Sequence, residues 1–350
     1  MPAEFEAHAG CWMLWPERPD NWRARAVPAQ RAFAAVAAAI SRFEPLTVGA
    51  SARQYARVRA QLPARVRVVE MSSDDAWMRD VGPTFVVNGT GELRGVDWRF
   101  NAWGGLYRPC ALDDAVAAKV LEIERAPRYR TEFVNEGGAI HVDGQGTALV
   151  TEQCLLNRNR NPSLSRARIE TQLRNYLGVR RIIWLGAGVI DDETSGHIDN
   201  LACFARPGVI CLTWCEDPRD PQYRVSHDAY ERLLAARDAR GRRLEVHRLP
   251  FPGPLYMTRR EAAGISRASG IRTLRAGQRL AASYVNFYLA NDALILPLLD
   301  SRTDARARQA LRRIFPRRRI VGVAAREILL GGGNIHCITQ QQPVSRSQRR

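Results

Sequence analysis

The chain has 350 residues, of which 45% are hydrophobic and 25% charged, the composition of a folded protein with a sizeable core. It has no run of about 18 apolar residues, so we expect no transmembrane helix, and its first residues lack the features of a secretory signal. The formal net charge of +16 raises the question of nucleic-acid binding.

The positive charge comes almost entirely from arginine, because Lys119 is the only lysine. A bias this uniform along the chain is typical of coding composition rather than of a binding patch. The arginine clusters at 312–313, 317–319 and 346–350 lack the interleaved aromatic residues of a single-strand groove. Charge alone predicts only non-specific, salt-sensitive contact, so we expect no specific nucleic-acid partner and no membrane partner.

The cysteines are odd in number and scattered, and no C-x-x-C pair marks a zinc site. They are Cys11, Cys110, Cys154, Cys203, Cys211, Cys215 and Cys337. Most lie in apolar surroundings, as reduced core cysteines do. We therefore expect a cytoplasmic protein without a metal or other cofactor.

The predicted elements alternate between strands and helices along the whole chain. The first strand lies at 11–15, and an alanine-rich stretch with helical spacing predicts the first helix at 28–42. Ser163 is the predicted N-cap of the fourth helix. Further strands are predicted at 45–49, 66–70, 84–87, 98–100, 148–151, 181–185, 201–204, 209–213, 244–249 and 319–323, a hairpin at 282–288 and 293–297, and helices at 51–62, 111–124, 163–177, 226–239 and 303–314.

Polar loops recur near residues 80, 136, 197, 286 and 335, at the ends of predicted strands. This rhythm of strands and helices predicts an α/β fold built from about five repeated units arranged radially. No change of composition marks a linker, so we expect a single domain over 1–343. The basic tail at 344–350 is expected to be disordered.

The segment Leu330–Thr339 carries three consecutive glycines, followed four residues later by Cys337. Glycine lets the backbone approach a ligand closely, and Ile335 and Ile338 indicate that the loop feeds a short buried strand. A thiol at the mouth of such a strand is a candidate nucleophile if the fold brings a base to it. The alternative is an inert buried cysteine, which is the commoner fate of a lone cysteine.

Carboxylates and a histidine lie in other glycine-flanked loops, where scaffolds commonly carry function. Asp80 follows Arg79 in a charged loop, and Glu136 precedes a pair of glycines. His197 and Asp199 alternate, so in a strand their side chains would point to the same face. Each residue also has a non-functional interpretation. Asp80 could be a surface carboxylate paired with Arg79, Glu136 a turn residue and His197 a structural histidine.

Two or three carboxylates with one histidine and one cysteine indicate a planar, cationic substrate. Carboxylates bind a guanidinium group bidentately, and a bound cation would favour the Cys337 thiolate by lowering the thiol pKa. The guanidinium carbon would then be the electrophile. His141 and His336 also lie near glycine loops, and we expect them to pack or to fix those loops.

Six motifs, spread in order over nearly the whole chain, carry a resemblance to a known family. They are the aromatic N-terminus at 1–22, AWMRDVGPT at 76–84, EGGAIHVDG at 136–144, NRNRNP at 157–162, DETSGHIDN at 192–200 and GGGNIHCITQQQP at 331–343. Together they resemble the agmatine deiminases, which are guanidino-group-modifying enzymes of the peptidylarginine deiminase-like superfamily. The resemblance implies the pentein fold, a five-bladed α/β-propeller with pseudo-fivefold symmetry.

The resemblance also implies a role for each catalytic candidate. Cys337 would attack the guanidinium carbon, and His197 would protonate the departing ammonia and then activate water against the covalent amidino-cysteine. Asp80 and Asp199 would hold the guanidinium nitrogens. Glu136 would hold His197 and set its charge state.

The same resemblance places Glu193 at the distal amine of the substrate, Trp77 along its methylene chain, and Gly332 among the substrate-binding residues. The implied partner is agmatine, a cationic guanidino compound, and the implied products are N-carbamoylputrescine, an intermediate of putrescine biosynthesis, and ammonia, with no cofactor. We expect a homo-oligomer. Departures from the family pattern, such as those at Cys11 and Ser195, touch no catalytic position.

Two enzymatic alternatives and one different class remain open from the sequence. A deiminase of free or peptidyl arginine would need a cation for the substrate carboxylate, and the many arginines leave this open. An amidinotransferase of the same fold would replace water by an amine. A basic binding module without catalysis would not need Cys337 at all.

Overall fold

A computed structural model describes residues 1–266 and 275–345. The strands are β1 His8–Leu14, β2 Leu46–Ala50, β3 Arg67–Glu70, β4 Thr84–Val87, β5 Leu93–Arg99, β6 Arg128–Val134, β7 His141–Val142, β8 Thr147–Thr151, β9 Arg181–Leu185, β10 Ala202–Arg206, β11 Val209–Trp214, β12 Glu245–Pro250, β13 Leu255–Tyr256, β14 Arg279–Leu280, β15 Tyr288–Ala290, β16 Ala293–Leu298, β17 Arg319–Ala324 and β18 Gln340–Pro343.

Helices and short helical turns connect these strands. They are α1 Val27–Ile40, α2 Ala52–Gln61, α3 Met78–Val81, α4 Ala102–Gly105, α5 Ala111–Asp114, α6 Val116–Ile123, α7 Glu152–Leu155, α8 Arg166–Leu177, α9 Ile198–Leu201, α10 Gln222–Ala235, α11 Arg259–Ala263, α12 Asp304–Ile314 and α13 Arg326–Leu329, with a 3₁₀ turn at Gly137–Ala139. The mixed α/β class predicted from the sequence is confirmed.

Among the described residues, five sheets begin with an antiparallel pair followed by a parallel strand, and the first of them has one further parallel strand. Their orders are β18-β1-β2-β3, β4-β5-β6, β7-β8-β9, β10-β11-β12 and β15-β16-β17. In the first sheet, β18 pairs with β1, with Cys11 opposite Gln341, so the end of the chain joins its beginning. The strand that follows Cys337 is thereby fixed next to the N-terminal segment.

Helix α1 illustrates how the helices cover the sheets. Its alanines favour the helix, Pro28 lies in its first turn, and Phe33, Val36 and Ile40 are fully buried along one face. This face packs against β16, β17 and α13. Burial of each large apolar side chain contributes about 1.5–3 kcal/mol.

Three short elements bring the polar loops together, because α3 and α9 both pack against the 3₁₀ turn. Asp80 lies within α3, and His197 is the residue before α9. The alternation of His197 and Asp199 would put both side chains on one face only in a strand, and this segment is a loop that leads into the helical turn α9. The loop before α9 folds back instead, because the Asp192 carboxylate accepts from the backbone N–H of His197 and from the side chain of Asn200.

Several predicted helix boundaries are also corrected. The fourth predicted helix begins at Arg166 rather than 163, and its N-cap is Ser165, whose hydroxyl accepts from the backbone N–H of Arg168. The helix predicted at 226–239 begins four residues earlier, directly after Pro221. The stretch predicted as one helix at 111–124 is divided at Ala115 into α5 and α6.

The predicted hairpin is confirmed as the antiparallel pair of β15 and β16, although its first strand begins only at Tyr288. In the expected disordered tail, the backbone N–H of Val344 donates to the carbonyl of Ala7, and Ser345 is buried. The rest of that tail, 346–350, lies outside the described residues. Within the described ranges, no helix combines the length and apolarity needed to cross a bilayer.

Candidate active site

A cleft with about 620 Å³ of empty volume, partly open to solvent, lies beside the glycine loop. Five of the site residues predicted from the sequence line this cleft, namely Trp77, Asp80, Glu193, Gly332 and Cys337. Gly332 has a φ of +112°, a conformation that side chains rarely adopt, and this lets the loop curve around the cleft. The predicted substrate-binding residues and the predicted nucleophile therefore share one cleft.

The remaining predicted catalytic residues, Glu136, His197 and Asp199, are buried directly behind the wall of this cleft. Gly138 lies between these buried residues and Asp80, which lines the cleft. A Cβ atom on Gly138 would lie 2.5 Å from Nδ1 of His197, 2.9 Å from Oδ1 of Asp80 and 3.1 Å from Oδ2 of Asp199. The structure thus brings all five predicted catalytic residues together, and only glycine fits between three of them.

The Cys337 thiol lies at the edge of this cluster. Its Sγ is 3.5 Å from Oδ2 of Asp199 and 3.3 Å from Nδ2 of Asn286. The Asn286 carbonyl oxygen also accepts from the backbone N–H groups of His336 and Cys337, so this side chain fixes the loop that carries the thiol. Burial, followed by the negative charges of Asp199 and Asp80, raises the pKa of the Cys337 thiol well above its ordinary value.

His197 lies between two carboxylates. Its Nε2 is 3.5 Å from Oε2 of Glu136, and its Nδ1 is 3.8 Å from Oδ2 of Asp80. Burial opposes the charge of the ring, but Asp80, Cys154 and Glu136 outweigh it and raise the pKa of His197 well above its ordinary value. The two carboxylates therefore favour the protonated form of this ring, which lies beside the thiol loop.

Arg160 supports Glu136 and was not singled out from the sequence. Its Nε donates to Oε1 of Glu136 at 2.8 Å, and both side chains are completely buried. Burial alone would raise the pKa of Glu136, but Arg160 and His197 hold it below its usual value. A buried arginine needs a buried carboxylate, but nothing local in the sequence marks which arginine of the motif at 157–162 is buried.

Trp103 is a second residue that sequence reasoning missed. Its indole N–H donates to Oδ2 of Asp80 at 3.0 Å, and its ring lines the cleft. Its backbone has a φ of +52°, which is a strained conformation for a bulky side chain. Arg160 holds that backbone by donating to the Trp103 carbonyl at 3.0 Å, so strain and function coincide here.

Asp80 is the carboxylate that faces both the cleft and the cluster. The backbone N–H of Gly138 donates to its Oδ1 at 2.9 Å. Burial, together with Asp199 and Glu136, raises the pKa of Asp80 to about 6, although His197 acts in the opposite direction. A cation entering the cleft would favour its ionised form.

Asp199 is held from the opposite side by His336. The ring nitrogen Nδ1 of His336 is 2.8 Å from Oδ2 of Asp199, and Nε2 is 2.7 Å from Oε2 of Glu4. Burial would raise the pKa of Asp199, but His336 outweighs this and lowers it. The other oxygen of Asp199, Oδ1, is buried without a hydrogen-bond partner among the described residues.

The mouth of the cleft is rich in carboxylates. Arg18 is the only basic side chain among the described residues that line it, and it is engaged by Asp20 at 2.8 Å and by Asp75 at 3.6 Å. Its guanidinium also lies 4.1 Å above the ring of Tyr107. Glu193 lies on the same wall, with one oxygen 3.6 Å from the Cβ position of Gly332.

In the part of the chain that the structure describes, two groups of three side chains have potential metal-ligating atoms within 4.8 Å of one another. They are Glu4, His141 and His336, and Glu136, Cys154 and His197. A guanidinium group lies beside each: Arg79 is 3.7 Å from Glu4, and Arg160 is 2.8 Å from Glu136. These positive charges disfavour a metal cation, and the two groups are parts of the hydrogen-bonded networks described above.

Comparison with known proteins shows the family of this chain. The family model of Porphyromonas-type peptidyl-arginine deiminases matches residues 1–343. The agmatine deiminase of Pseudomonas aeruginosa (strain LESB58) is 58% identical over 352 residues, which cover 99% of this chain and 96% of that protein.

Solved structures give the same result. The agmatine deiminase of Enterococcus faecalis has a TM-score of 0.95 at 49% identity and covers 98% of this chain and 95% of that chain. The substrate-bound C. jejuni agmatine deiminase has a TM-score of 0.86 at 28% identity, with 99% and 96% covered. The chain therefore belongs to the Porphyromonas-type peptidyl-arginine deiminase family and is a homologue of the agmatine deiminases.

Proposed function

We propose that this protein is an agmatine deiminase, a hydrolase of C–N bonds in linear amidines. It converts agmatine and water into N-carbamoylputrescine and ammonia, a step of putrescine biosynthesis. One observation carries the proposal: a histidine and two carboxylates converge around Gly138, and the buried Cys337 thiol lies 3.5 Å from one of these carboxylates, beside a cleft with an acidic mouth. This set suits a flat cation whose carbon is attacked by sulfur.

Asp80 and Asp199 bind the guanidinium group in this proposal. The Asp80 carboxylate faces the cleft, and Oδ1 of Asp199 is a buried acceptor that no described residue satisfies. An unsatisfied buried carboxylate oxygen is costly, and guanidinium N–H groups would relieve that cost. Trp77 lines the same cleft and contacts the methylene chain.

The bound cation then activates the nucleophile. In the free protein the Cys337 thiol lies 3.5 Å from Asp199, whose charge disfavours a thiolate. When the guanidinium neutralises Asp199 and Asp80, the thiol loses its proton to solvent and sulfur attacks the guanidinium carbon. The imidazolium of His197 donates its proton to one terminal nitrogen, ammonia leaves, and an S-amidino-cysteine cation remains.

Water completes the reaction at the same carbon. Neutral His197, still held by Glu136, accepts a proton from the attacking water and so becomes an imidazolium again. The C–S bond breaks, the second proton of that water returns to sulfur, and the urea group of the product is formed. Atoms and charges balance without a cofactor.

The mouth of the cleft favours agmatine over arginine. Arginine carries a carboxylate where agmatine has only hydrogen, and Asp20, Asp75 and Glu193 would repel it. Arg18 lines the cleft and could bind the arginine carboxylate, but Asp20, Asp75 and the Tyr107 ring already engage its guanidinium group. Glu193 instead suits the distal amine of agmatine.

The arrangement of the sheets supports a related proposal about the fold. Five sheets that each begin with an antiparallel pair followed by a parallel strand, and a last strand that joins the first sheet, suit the blades of a pentein propeller with pseudo-fivefold symmetry. We propose one such domain over 1–343. All seven cysteines are free, which suits the reducing cytoplasm, and light scattering would test the proposed homo-oligomer.

Steady-state release of ammonia tests the proposed function. Agmatine, L-arginine and an N-acyl-arginine amide are compared at matched concentrations, with and without an added amine acceptor. We expect agmatine to have the highest kcat/KM and the urea product to form without the acceptor. Dominant turnover of either arginine compound, or product that requires the amine, would reject the proposal.

A further inference from the structure

We propose that His336, held as a cation between Glu4 and Asp199, is a positioning residue that keeps Asp199 oriented and ionised for guanidinium binding. The N-terminal Glu4 thereby belongs to the apparatus that sets the pH range of activity. This inference rests on the proposed function and deepens it. It assigns a task to a histidine that sequence reasoning treated only as packing or as fixing a loop.

The charge of His336 follows from its two partners. Nδ1 lies 2.8 Å from Oδ2 of Asp199, and Nε2 lies 2.7 Å from Oε2 of Glu4. Ionised carboxylate oxygens only accept hydrogen bonds, so both ring nitrogens must carry a proton. Burial and Arg79 oppose this charge, but Glu4 and Asp199 outweigh them and raise the pKa of His336.

Glu4 is fixed independently of the site. Its Oε1 accepts from the backbone N–H of Leu289 at 2.8 Å, so only Oε2 faces His336. Arg79 lies 3.7 Å from the same oxygen. Glu4 and Asp199 thus face His336 and Arg79 in a buried row of four side chains. Its two negative and two positive charges balance without the substrate.

The row ends at the reacting atoms. Oδ2 of Asp199 accepts from His336 and lies 3.5 Å from the Cys337 sulfur, which leaves Oδ1 of the same carboxylate free for the substrate. Without a cation behind it, a carboxylate buried this deeply would take up a proton and lose its attraction for guanidinium. His336 therefore acts on the substrate only through Asp199.

Other titratable groups also face this row. They are Asp80, His141, His197, Cys203 and Cys337. Burial is the main factor that lowers the pKa of His141 to about 4, so this neighbouring ring is neutral near pH 7. His197 directs its two nitrogens to Glu136 and Asp80, which leaves His336 as the histidine hydrogen-bonded to Asp199.

The principal test is His336→Asn, whose amide can still donate to Asp199 but carries no charge. We expect kcat/KM for agmatine to fall about 100-fold, the scale expected when one partner of a buried charge pair is removed. Because the pKa of Asp199 rises without the cation, its protonation should add to that of Asp80, so the acidic limb of the kcat/KM profile should become steeper and move to higher pH. A merely structural role would lower activity without moving that limb.

His8→Asn is the matched control. His8 is an equally buried histidine whose Nδ1 lies 3.2 Å from the Glu44 carboxylate. Its Nε2 lies 2.8 Å from the backbone carbonyl oxygen of Glu4, and not at the Glu4 carboxylate. Its loss should cost stability but leave the acidic limb in place. Glu4→Gln removes the other carboxylate that pairs with His336. It should also move the acidic limb of the kcat/KM profile to higher pH, but by less than His336→Asn.

The double variant Glu4→Gln/His336→Asn tests whether the two residues act in series. We expect it to be no more than about 3-fold worse than His336→Asn alone, because the first change has already broken the row. Fully multiplicative losses would contradict a common pathway. If His336→Asn does not fold, Glu4→Gln and His336→Gln carry the same test.

Binding separates this inference from the proposed function. Wild-type turnover of agmatine is measured first, and its absence would reject the function. In the Cys337→Ala background, calorimetry then compares agmatine binding with and without His336→Asn, and we expect a large loss of affinity that deepens as pH falls. Unchanged affinity, or an acidic limb that stays where the wild type has it, would overturn the role of His336 even if the deiminase activity stands.

Discussion

The sulfur of Cys337 lies 3.5 Å from a carboxylate oxygen of Asp199, and within the described residues it makes no hydrogen bond to His197. The nucleophile is therefore held next to a negative charge rather than a positive one. Such a thiol is poorly ionised until a cation arrives. The substrate itself completes the electrostatics of the site.

Alkylation of the free protein tests this relationship. Because burial, Asp199 and Asp80 raise the pKa of Cys337, iodoacetamide should react slowly with it at pH 7 and faster as pH rises above about 9. Asp199→Asn removes one negative charge, so it should lower the thiol pKa and speed alkylation at pH 7 while abolishing turnover. Peptide mass spectrometry would follow modification of Cys337.

Asp97→Asn is the control for that experiment, since Asp97 is buried in β5 and pairs with Arg128 and Arg130. It should leave the alkylation rate of Cys337 unchanged. A resting thiol pKa well below 7 would contradict the account and favour a preformed thiolate paired with His197.

Gly138 offers a steric test of the catalytic cluster. A Cβ at this position would lie 2.5 Å from a ring nitrogen of His197, so Gly138→Ala must displace that ring or Asp80. We expect kcat to fall at least about 100-fold, because an error of about 1 Å in catalytic geometry has that cost. Circular dichroism would check that the fold is retained.

Gly89→Ala is the matched control, because a Cβ on Gly89 meets nothing within 4 Å. Its activity should equal that of the wild type. If Gly138→Ala is equally active, the cluster drawn around this glycine is not the catalytic centre.

Arg160 should matter for both stability and activity. Its guanidinium is completely buried against Glu136, so Arg160→Gln leaves a buried carboxylate without its cation and should cost about 3–5 kcal/mol in the free energy of unfolding. Arg166→Gln removes a half-exposed guanidinium that pairs with Glu152 and should cost less than about 1 kcal/mol. Urea denaturation measures both, and similar values would contradict the buried role of Arg160.

The pH dependence of activity should reflect Asp80. Folding raises the pKa of this carboxyl to about 6, and only its ionised form attracts a guanidinium. We therefore expect kcat/KM to fall as pH drops through about 6, with kcat less affected because bound substrate favours ionisation. A profile that stays flat down to pH 4.5 would exclude a binding role for Asp80.

The sequence indicated the site well because its residues lie in short motifs with glycine neighbours. Cys337 and Glu136 were visible in this way, and so was the recurrence of strands and helices. His197 and Asp199 were expected to be neighbours because alternating residues share a face in a strand. They do lie close together around Gly138, but Asp192 and Asn200 fold their loop into the start of α9 instead of a strand.

The residues that were missed act through contacts between distant parts of the chain. Glu4 reaches His336 across 332 positions, and Asn286 reaches Cys337 across 51. No periodicity or spacing encodes such pairs. Arg160 was hidden for a different reason, because one buried arginine among so many exposed ones has no local signal.

Mass spectrometry of the protein quenched with acid during agmatine turnover tests the central claim most directly. The account predicts a mass increase equal to agmatine less ammonia on the peptide that contains Cys337, and its absence in Cys337→Ala, which should also lose at least about 10³-fold in rate. Rapid turnover with no adduct on Cys337, or with the adduct on another residue, would contradict the account.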